Sequence, residues 1–491
     1  MGEVYNKDNI SFQYDFLNDD IDINPEFNLF DLKMPNDLFE ALKEDKPIVF
    51  FANPPYATAN DAGAKGTSKQ GSALTKMNNM MKNENAGQAS QQLYAQFFYR
   101  ILKLKKTFNL SNVHIAFFSK PLFLNGGAYW EKFNDLFFKE FQFKQGMLLK
   151  SGEFSDVTNI WAVTFSVYSM RDTPVQNFER NFELSVKHLT PIGIKEIGSK
   201  TVRMVESEKF LSNWLREPTK GRKDYKDKPY PQFSSIFNVN ESESHRGKLL
   251  TDAFGYFVSV ANNVYNSQRD VVIYSGSAYK ANGVSIVKEN YERVAVTFAA
   301  RKSITHTWLN DNDNFKTPTQ QTMETDEWSE FVNDCIIYSL FNVNASYQSS
   351  QENIFYHDEL YEIENEMFYM SKAHIAQLAE ENYLNQIEEQ LRFQREERYV
   401  YTLIRDRVFS EEAQKVYDTA VTLTERAFEY RDIVHLEHPE WSVKRWDAGF
   451  YQTYKIINKY KIEGWEKFRE YFKMLERKIE EKVYDFGILT K

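Results

Sequence analysis

The sequence predicts an α/β protein in which an incomplete Rossmann-like sheet is followed by a mixed α+β region and then by a helical C-terminal region. Three observations support this fold class. Short apolar runs alternate with amphipathic helical periods over the first 170 residues, short alternating segments follow Met170, and long periodic runs of charged and aromatic residues begin near residue 362. These changes in texture predict domains at residues 1–170, 171–345 and 346–491.

The first region follows the order strand, helix, strand, helix, strand. Residues 47–52, PIVFFA, are apolar without interruption and lie between Pro47 and Asn53, which is typical of a strand buried on both faces of a parallel sheet. The other predicted strands are VHIAFFS (113–119), FKQGMLL (143–149) and IWAVTFSVY (160–168). This alternation indicates a doubly wound sheet.

Two amphipathic helices and one long loop connect these strands. Residues 88–106 carry apolar side chains at helical spacing and end in a lysine-rich turn, and residues 129–141 form the second predicted helix. Residues 57–87 are rich in Gly, Asn, Ser and Lys without periodicity, and we expect a long loop there. In the middle region, DVVIYSG (270–276) and RVAVTFAARK (293–302) resemble strands.

Composition limits the classes of function. The 491 residues carry a net charge of −10, which argues against a uniformly basic nucleic-acid coat but permits a local basic groove. Cys335 is the single cysteine, so neither a disulfide nor a thiolate zinc site is expected. The first residues do not resemble a signal peptide, and the apolar runs are too short to span a bilayer. We therefore expect a soluble cytoplasmic protein with no membrane partner.

The segment Asn-Pro-Pro-Tyr at Asn53, Pro54, Pro55 and Tyr56 directly follows the first predicted strand. Two prolines make a rigid turn whose carbonyl groups cannot enter a sheet ladder. Asn53 adds a side-chain acceptor, and Tyr56 adds an aromatic face. Together they suit a flat substrate with an exocyclic amine, because two acceptors hold its N–H groups and free the nitrogen lone pair. The alternative is a turn that merely ends a strand.

These residues resemble the N6-adenine DNA methyltransferases of bacterial restriction-modification systems, whose Asn-Pro-Pro-Tyr motif is matched at 53–56. QYDFLNDD (13–20) resembles the family's Asp-Phe element, which implies that Asp15 accepts from the adenine amine of S-adenosylmethionine and that Phe16 packs on its ring. GEFSDVTNIWAVTFSVY (152–168) resembles the last catalytic motif. The resemblance implies that an aromatic residue there stacks on a flipped base, with Phe154 as the first candidate and Trp161 as the second.

The resemblance also implies double-stranded DNA as the partner and residues 171–345 as a target-recognition region. The family's glycine-rich cofactor loop precedes its Asp-Phe element, whereas only fourteen residues precede Asp15, with one glycine at Gly2. We therefore expect an N-terminally incomplete enzyme: either a partner chain supplies the missing loop, or the chain is a fragment that binds the cofactor weakly. The alternative function is a non-catalytic DNA-binding or specificity subunit that needs such a partner.

Three groups of basic residues are candidates for contact with DNA, with ordinary solvated surface as the alternative. The first lies in LREPTKGRKDYKDKPYPQ (215–232), where aromatic residues are interleaved. The second follows the predicted strand VAVTFAA, and the third lies in the loop after Tyr56. The groups are Arg216, Lys220, Arg222, Lys223, Lys226 and Lys228 with Tyr225 and Tyr230; Arg301 and Lys302; and Lys65, Lys69, Lys76 and Lys82.

Two further motifs favour structural roles. His435 and His438 would share a helical face, but a metal site needs more ligands and the proposed chemistry requires no metal. In RWDAGFYQ (445–452), Asp447 is placed to cap a helix and the aromatic residues are expected to pack in a core.

Overall fold

The computed structural model describes most residues of the chain. They are 12–56, 74–154, 161–225, 230–231, 246–247, 249–259, 261–266, 271–275, 283–343, 353–356, 358–362, 365–392, 396 and 399–491.

The chain forms two compact units. The first comprises Met1–Ser207, Thr307–Asp313 and Thr490–Lys491, and the second comprises Glu208–His306 and Asn314–Leu489. The sequence-based boundaries at residues 170 and 345 concern functional regions and stay predictions.

A six-stranded mixed sheet forms the centre of the first unit, with strand order β1-β2-β4-β3-β5-β6. The pairs β1–β2 and β3–β5 are parallel, and β2–β4, β3–β4 and β5–β6 are antiparallel. The strands are β1 (Ile48–Ala52), β2 (Val113–Ser119), β3 (Phe141–Lys150), β4 (Ala162–Met170), β5 (Asn181–Thr190) and β6 (Gly193–Arg203). The four strands predicted from apolar runs in this region are therefore confirmed as β1 to β4.

Four helices of the first unit contribute to one core with the sheet. They are α1 (Asn36–Lys43), α2 (Lys76–Asn83), α3 (Leu93–Phe108) and α4 (Glu131–Glu140). Phe98 of α3 lies 4.9 Å from Phe117 of β2 between ring centroids, and Phe137 of α4 lies 5.3 Å from Tyr168 of β4. Aromatic rings bury large areas, so this contact layer fixes the helices on the sheet.

The expectation that the first strand is buried on both faces is wrong. Strand β1 is at the edge of the sheet, and Val49 and Phe51 on one of its faces are 63% and 71% exposed. Phe50 on the opposite face packs against the core of the first unit. An apolar run shows that a strand is able to be buried, but the elements that cover each face decide whether it is.

The predicted loop at 57–87 is also partly wrong, because its end forms helix α2. The Thr75 side chain caps this helix by accepting a 3.0 Å hydrogen bond from the Asn78 backbone N–H. Met77 and Met81 are fully buried beneath it. A threonine cap followed by apolar residues four positions apart indicates this helix, but the polar composition of the segment obscured that pattern.

Among its described residues, the second unit contains a three-stranded sheet of order β10-β9-β11 and two antiparallel pairs of short strands. The predicted strand in DVVIYSG is confirmed as β10. The strands are β7 (Tyr230–Pro231), β8 (Arg246–Gly247), β9 (Gly255–Ser259), β10 (Val271–Tyr274), β11 (Gly283–Ile286), β12 (Asn353–Tyr356) and β13 (Glu359–Glu362).

The strand predicted in RVAVTFAARK is wrong, because this segment belongs to helix α6 (Tyr291–Ser303). Eleven of its side chains are buried, including polar Thr297. A helix that is buried on almost all sides lacks a clear amphipathic period, so its sequence resembles that of a buried strand.

Helices dominate the rest of the second unit, which confirms the predicted helical C-terminal region. They pack into one large core with α6 and β9. The remaining helices are α5 (Leu211–Trp214), α7 (Gln320–Met323), α8 (Asp326–Phe341), α9 (Lys372–Glu381), α10 (Asn385–Arg392), α11 (Tyr401–Ile404), α12 (Glu411–Phe428), α13 (Arg431–Glu437), α14 (Phe450–Tyr460) and α15 (Trp465–Asp485).

Candidate functional site

One end of the six-stranded sheet collects the residues singled out around Asn-Pro-Pro-Tyr. Because β1 and β2 are parallel, Asn53 and Lys120 follow the carboxyl ends of neighbouring strands. Strand β4 runs antiparallel to β2, so Trp161, which precedes β4, lies at the same end. The carboxyl ends of strands are where open α/β sheets place ligands.

Buried polar contacts hold this end of the sheet together. The hydroxyls of Ser119 and Thr164 lie 3.0 Å apart and are fully buried, and the Thr164 hydroxyl also bonds the Ser119 carbonyl at 3.0 Å. The Ser151 N–H donates to the Trp161 carbonyl at 3.0 Å, which joins the end of β3 to the start of β4. Satisfied buried hydrogen bonds of this kind give the adjoining turns a rigid base.

The Asn-Pro-Pro-Tyr turn combines an exposed amide with a half-buried ring. Asn53 and Pro55 are exposed, whereas Pro54 is buried. The Tyr56 hydroxyl donates a 2.8 Å hydrogen bond to Asn53 Oδ1, and burial raises the pKa of Tyr56 to about 12. The phenol is therefore a neutral donor at physiological pH, and it occupies the acceptor that sequence reasoning assigned to a substrate amine.

Trp161 lies against Tyr56, and Phe154 lies elsewhere at the same end of the sheet. The Tyr56 and Trp161 ring centroids are 5.4 Å apart, and the rings cross at 80°. We call this pair the aromatic corner. Phe154 instead meets Phe118 edge to face at 6.3 Å. Of the two candidate stacking residues, the structure brings Trp161 to Tyr56.

Sequence reasoning missed Lys120, which lies beside the aromatic corner, and Asp311, which interacts electrostatically with Lys120. Lys120 Nζ lies 5.2 Å from the centroid of the Trp161 ring, which is within the range of a cation–π contact. Asp311 is 4% exposed, and burial together with the Asp313 carboxylate raises its pKa to about 7, with Lys120 acting in the opposite direction. Lys120 could have been identified from the sequence, because it directly follows β2 as Asn53 follows β1. No sequence pattern pointed to Asp311.

Asp15 and Phe16, the residues implied to hold the cofactor, lie in the same unit as the corner. Asp15 is exposed, and its carboxylate accepts hydrogen bonds from the Leu17 N–H at 3.1 Å and from the Asn18 amide at 2.8 Å. Phe16 is half-buried and stacks on Phe97 at 5.4 Å, with Phe50 of β1 at 6.2 Å. The Asp-Phe turn therefore lies beside the strand that leads to Asn53.

The expectation that Arg301 and Lys302 contact DNA from the end of a strand is wrong. They lie in the last turn of α6, 0% and 7% exposed. Arg301 donates to the Ser259 hydroxyl and, at 2.9 Å, to the Ala261 carbonyl. A guanidinium bonded in this way inside a core holds the fold together and does not reach phosphate.

The basic segment 215–232 is partly described. Arg222 is paired with Asp224 and Asp252 at 2.7 Å each, so nearby carboxylates offset its charge. Arg216 is half-buried and bonds the Ser212 carbonyl within its own turn. Lys220 and Lys223 are exposed and stay candidates for phosphate contact. Lys226 and Lys228, with the Tyr230 side chain, lie outside the described residues.

Of the lysines after Tyr56, Lys76 and Lys82 are on α2, and Lys65 and Lys69 lie outside the described residues.

Asp447 does not cap the following helix, because it is fully buried and accepts from the Asn365 N–H at 3.0 Å. His438 stacks on Trp441 at 4.2 Å.

Within the described ranges, no three His, Cys, Asp or Glu side chains converge as metal ligands. None of the helices in those ranges combines the length and apolar character needed to cross a bilayer.

Comparisons with known proteins give a distant likeness among solved structures. No protein-family model matches the chain, and no curated protein matches it. Among solved structures, the chain is similar to the Type IIL restriction-modification enzyme MmeI in complex with DNA, with a TM-score of 0.29 and 9% identity. The alignment covers 94% of this chain and 57% of that one, so the chain spans a little over half of that enzyme. At this TM-score the likeness assigns no activity.

Proposed function

We propose that this chain is the catalytic and target-recognition part of a DNA adenine-N6 methyltransferase of a restriction-modification or related phage-defence system. One observation carries the proposal: the exposed Asn53 amide lies beside an aromatic corner at the carboxyl end of two parallel strands. The resemblance of 53–56 to the family's Asn-Pro-Pro-Tyr motif supports the choice of an amine substrate. The Rossmann-like character of the sheet is part of the same proposal.

The chain's residues would act on the amine of an extrahelical adenine. Asn53 Oδ1 and the Pro54 carbonyl accept its two N–H groups, which makes the nitrogen lone pair available for the new N–C bond. Tyr56 and an aromatic partner from 154–161 hold the ring in line. The nitrogen then gives up one proton to water. Since Tyr56 already bonds Asn53 Oδ1, the phenol must yield this acceptor when the base enters.

When bound, S-adenosylmethionine would supply the methyl group, whose S–C bond would break as the N–C bond forms and leave S-adenosylhomocysteine. Asp15 offers a carboxylate for an adenine amine and Phe16 offers a ring, and both lie beside β1. The carboxylate already accepts two hydrogen bonds, but its two oxygens have further lone pairs. These residues fit the adenine half of the cofactor. No described residue is assigned to its methionine half.

Double-stranded DNA is the proposed partner, and residues 171–345 are the proposed target-recognition region. The exposed lysines at 220 and 223 would contact phosphates. Such contacts position the protein without reading sequence, so their loss should weaken binding to all DNA about equally.

The test is to express the chain in a host, digest the host DNA to nucleosides and measure N6-methyladenine by mass spectrometry. Wild type should produce it, and Asn53→Ala should lower its rate of formation by roughly 10²- to 10³-fold, the usual effect of losing one transition-state contact. Asn79→Ala, which alters an exposed asparagine of α2, is the matched control. If Asn53→Ala methylates like wild type, the proposed role of Asn53 is wrong.

A second function is favoured by the free edge of β1, where Val49 and Phe51 are exposed. Open edges and apolar faces are usually covered. In this alternative, the chain is a non-catalytic DNA-binding or specificity subunit, and a partner carrying the glycine-rich cofactor loop adds at this edge. DNA binding by the purified chain, with no N6-methyladenine from wild type or Asn53→Ala, would favour the subunit.

A further inference from the structure

Lys120 is connected to the substrate-facing turn by a series of direct contacts. Its ammonium lies over the Trp161 ring, Trp161 meets Tyr56, and Tyr56 bonds Asn53, with separations of 5.2, 5.4 and 2.8 Å. The indole therefore has a cation over its ring and a second ring at an angle of 80°. A cation–π contact is worth about 0.5 to 2 kcal/mol, depending on how dry it is. That is enough to favour one orientation of a half-buried side chain.

Asp311 is a buried carboxyl group that interacts electrostatically with Lys120. The segment Thr307–Asp313 belongs to the first unit, where Trp308 and Leu309 pack against its core. Asp313 is joined to Lys200 of β6 at 2.6 Å, and both side chains are 9% exposed. This buried pair ties the segment to the sheet independently of Lys120. Asp311 also accepts a hydrogen bond from the Asn312 amide, so its carboxylate has a defined position.

A buried carboxylate is costly unless a positive charge or hydrogen bonds compensate it. Lys120 contributes such a charge to Asp311, because its field favours the ionised carboxylate. The same ammonium covers the indole. Lys120 therefore acts on a buried acid through its field and on Trp161, which directly precedes β4 at the end of the sheet that holds the Asn-Pro-Pro-Tyr turn, by a cation–π contact.

We infer that Lys120 is a positioning residue that fixes Trp161 as the second aromatic wall of the base site beside Tyr56. The inference rests on the proposed function for the identity of the guest, an extrahelical adenine. It assigns the stacking role to Trp161, with Phe154 packed behind on Phe118. Lys120 touches neither the reacting amine nor the methyl donor in this assignment.

The first experiment measures the orientation of Trp161 without any substrate. The full chain is labelled with 5-fluorotryptophan, and the Trp161 signal among the eight tryptophans is assigned by its loss in Trp161→Phe. Lys120→Met keeps the length of the side chain and removes its charge, whereas Lys120→Arg keeps a cation that stacks on indole. Lys120→Met should shift or broaden the Trp161 fluorine resonance, and Lys120→Arg should restore it.

The second experiment measures methyl transfer from labelled S-adenosylmethionine to host DNA. Lys120→Met should lower kcat by about tenfold, in line with the energy of one cation–π contact, without a matching change in DNA affinity. Lys120→Arg should recover most of the rate. Lys144→Met, at an exposed lysine of β3, is the control and should behave as wild type in both experiments.

The outcomes separate this inference from the proposed function. An unchanged fluorine signal in a folded Lys120→Met protein overturns the positioning role, whether or not the chain methylates DNA. A changed signal with undiminished methylation overturns Trp161 as the wall of the base site. Absence of methylation by wild type rejects the proposed function, and the fluorine result still decides whether Lys120 orients Trp161.

Discussion

The Tyr56 hydroxyl donates a 2.8 Å hydrogen bond to Asn53 Oδ1, so two residues of the same turn satisfy each other before any substrate arrives. The Tyr56 pKa of about 12 keeps the phenol protonated, and the bond persists over the physiological pH range. Substrate binding by the Asn53 amide then exchanges one hydrogen bond for another. The bond to Tyr56 keeps the Asn53 amide oriented in the free protein. Its loss lowers the net free energy that is gained when a substrate binds.

Two substitutions of Tyr56 should separate the contribution of its ring to methylation from the contribution of its hydroxyl. Tyr56→Phe keeps the stacking face and releases Asn53 Oδ1, so we expect methylation within about threefold of wild type. Tyr56→Ala removes the face, and base stacking is worth roughly 1–3 kcal/mol. Its kcat/KM should fall by roughly 5- to 150-fold in steady-state methylation of host DNA. Equal losses in both variants would show that the hydroxyl itself takes part in the reaction.

Asp311 should make stability depend on pH between about 4 and 7. Its folded-state pKa of about 7 is above the ordinary value of 3.8, so the folded protein holds a proton that the unfolded chain releases in this window. Its contribution to stability is complete below about pH 4 and is lost as pH rises through 7. Lys120 and Asp313 are the charged groups that influence it.

Asp311→Asn removes this titration. The variant should match wild type near pH 3.5 and should be more stable at pH 8, by about 2–4 kcal/mol, because burial of the charge no longer opposes folding. Urea unfolding at the two pH values measures the difference. A variant less stable than wild type at pH 8 would mean that the Lys120 interaction outweighs the burial of the carboxylate.

Phe51 and Phe117 should differ sharply in their contribution to stability, although they lie on neighbouring strands. Phe51 is 71% exposed on β1, whereas Phe117 on β2 is 1% exposed and packs against Phe98. Phe117→Ala should cost about 3–5 kcal/mol of unfolding free energy, and Phe51→Ala should cost less than about 1 kcal/mol. Chemical denaturation of the purified chain measures both. A large loss for Phe51→Ala would show that this face of β1 is covered in solution.

Local patterns predicted the elements around the candidate site. Apolar runs bounded by proline or polar residues located β1 and β2, and helical spacing located α3 and α4. The same rules failed at 293–302, because a helix buried on every side has the composition of a buried strand. They also failed for Arg301, where a charged residue after an apolar run was assigned to the surface and lies in the core.

The sequence by itself determined the rigid Asn53–Tyr56 turn and its place at the end of a strand, because proline geometry and chain direction are local properties. Only the tertiary structure decided that Trp161 meets Tyr56, that Lys120 lies over the Trp161 ring, and that one face of β1 is exposed. These relations join residues far apart in the chain. They depend on strand order, on register and on which elements cover each face, and no local spacing encodes them.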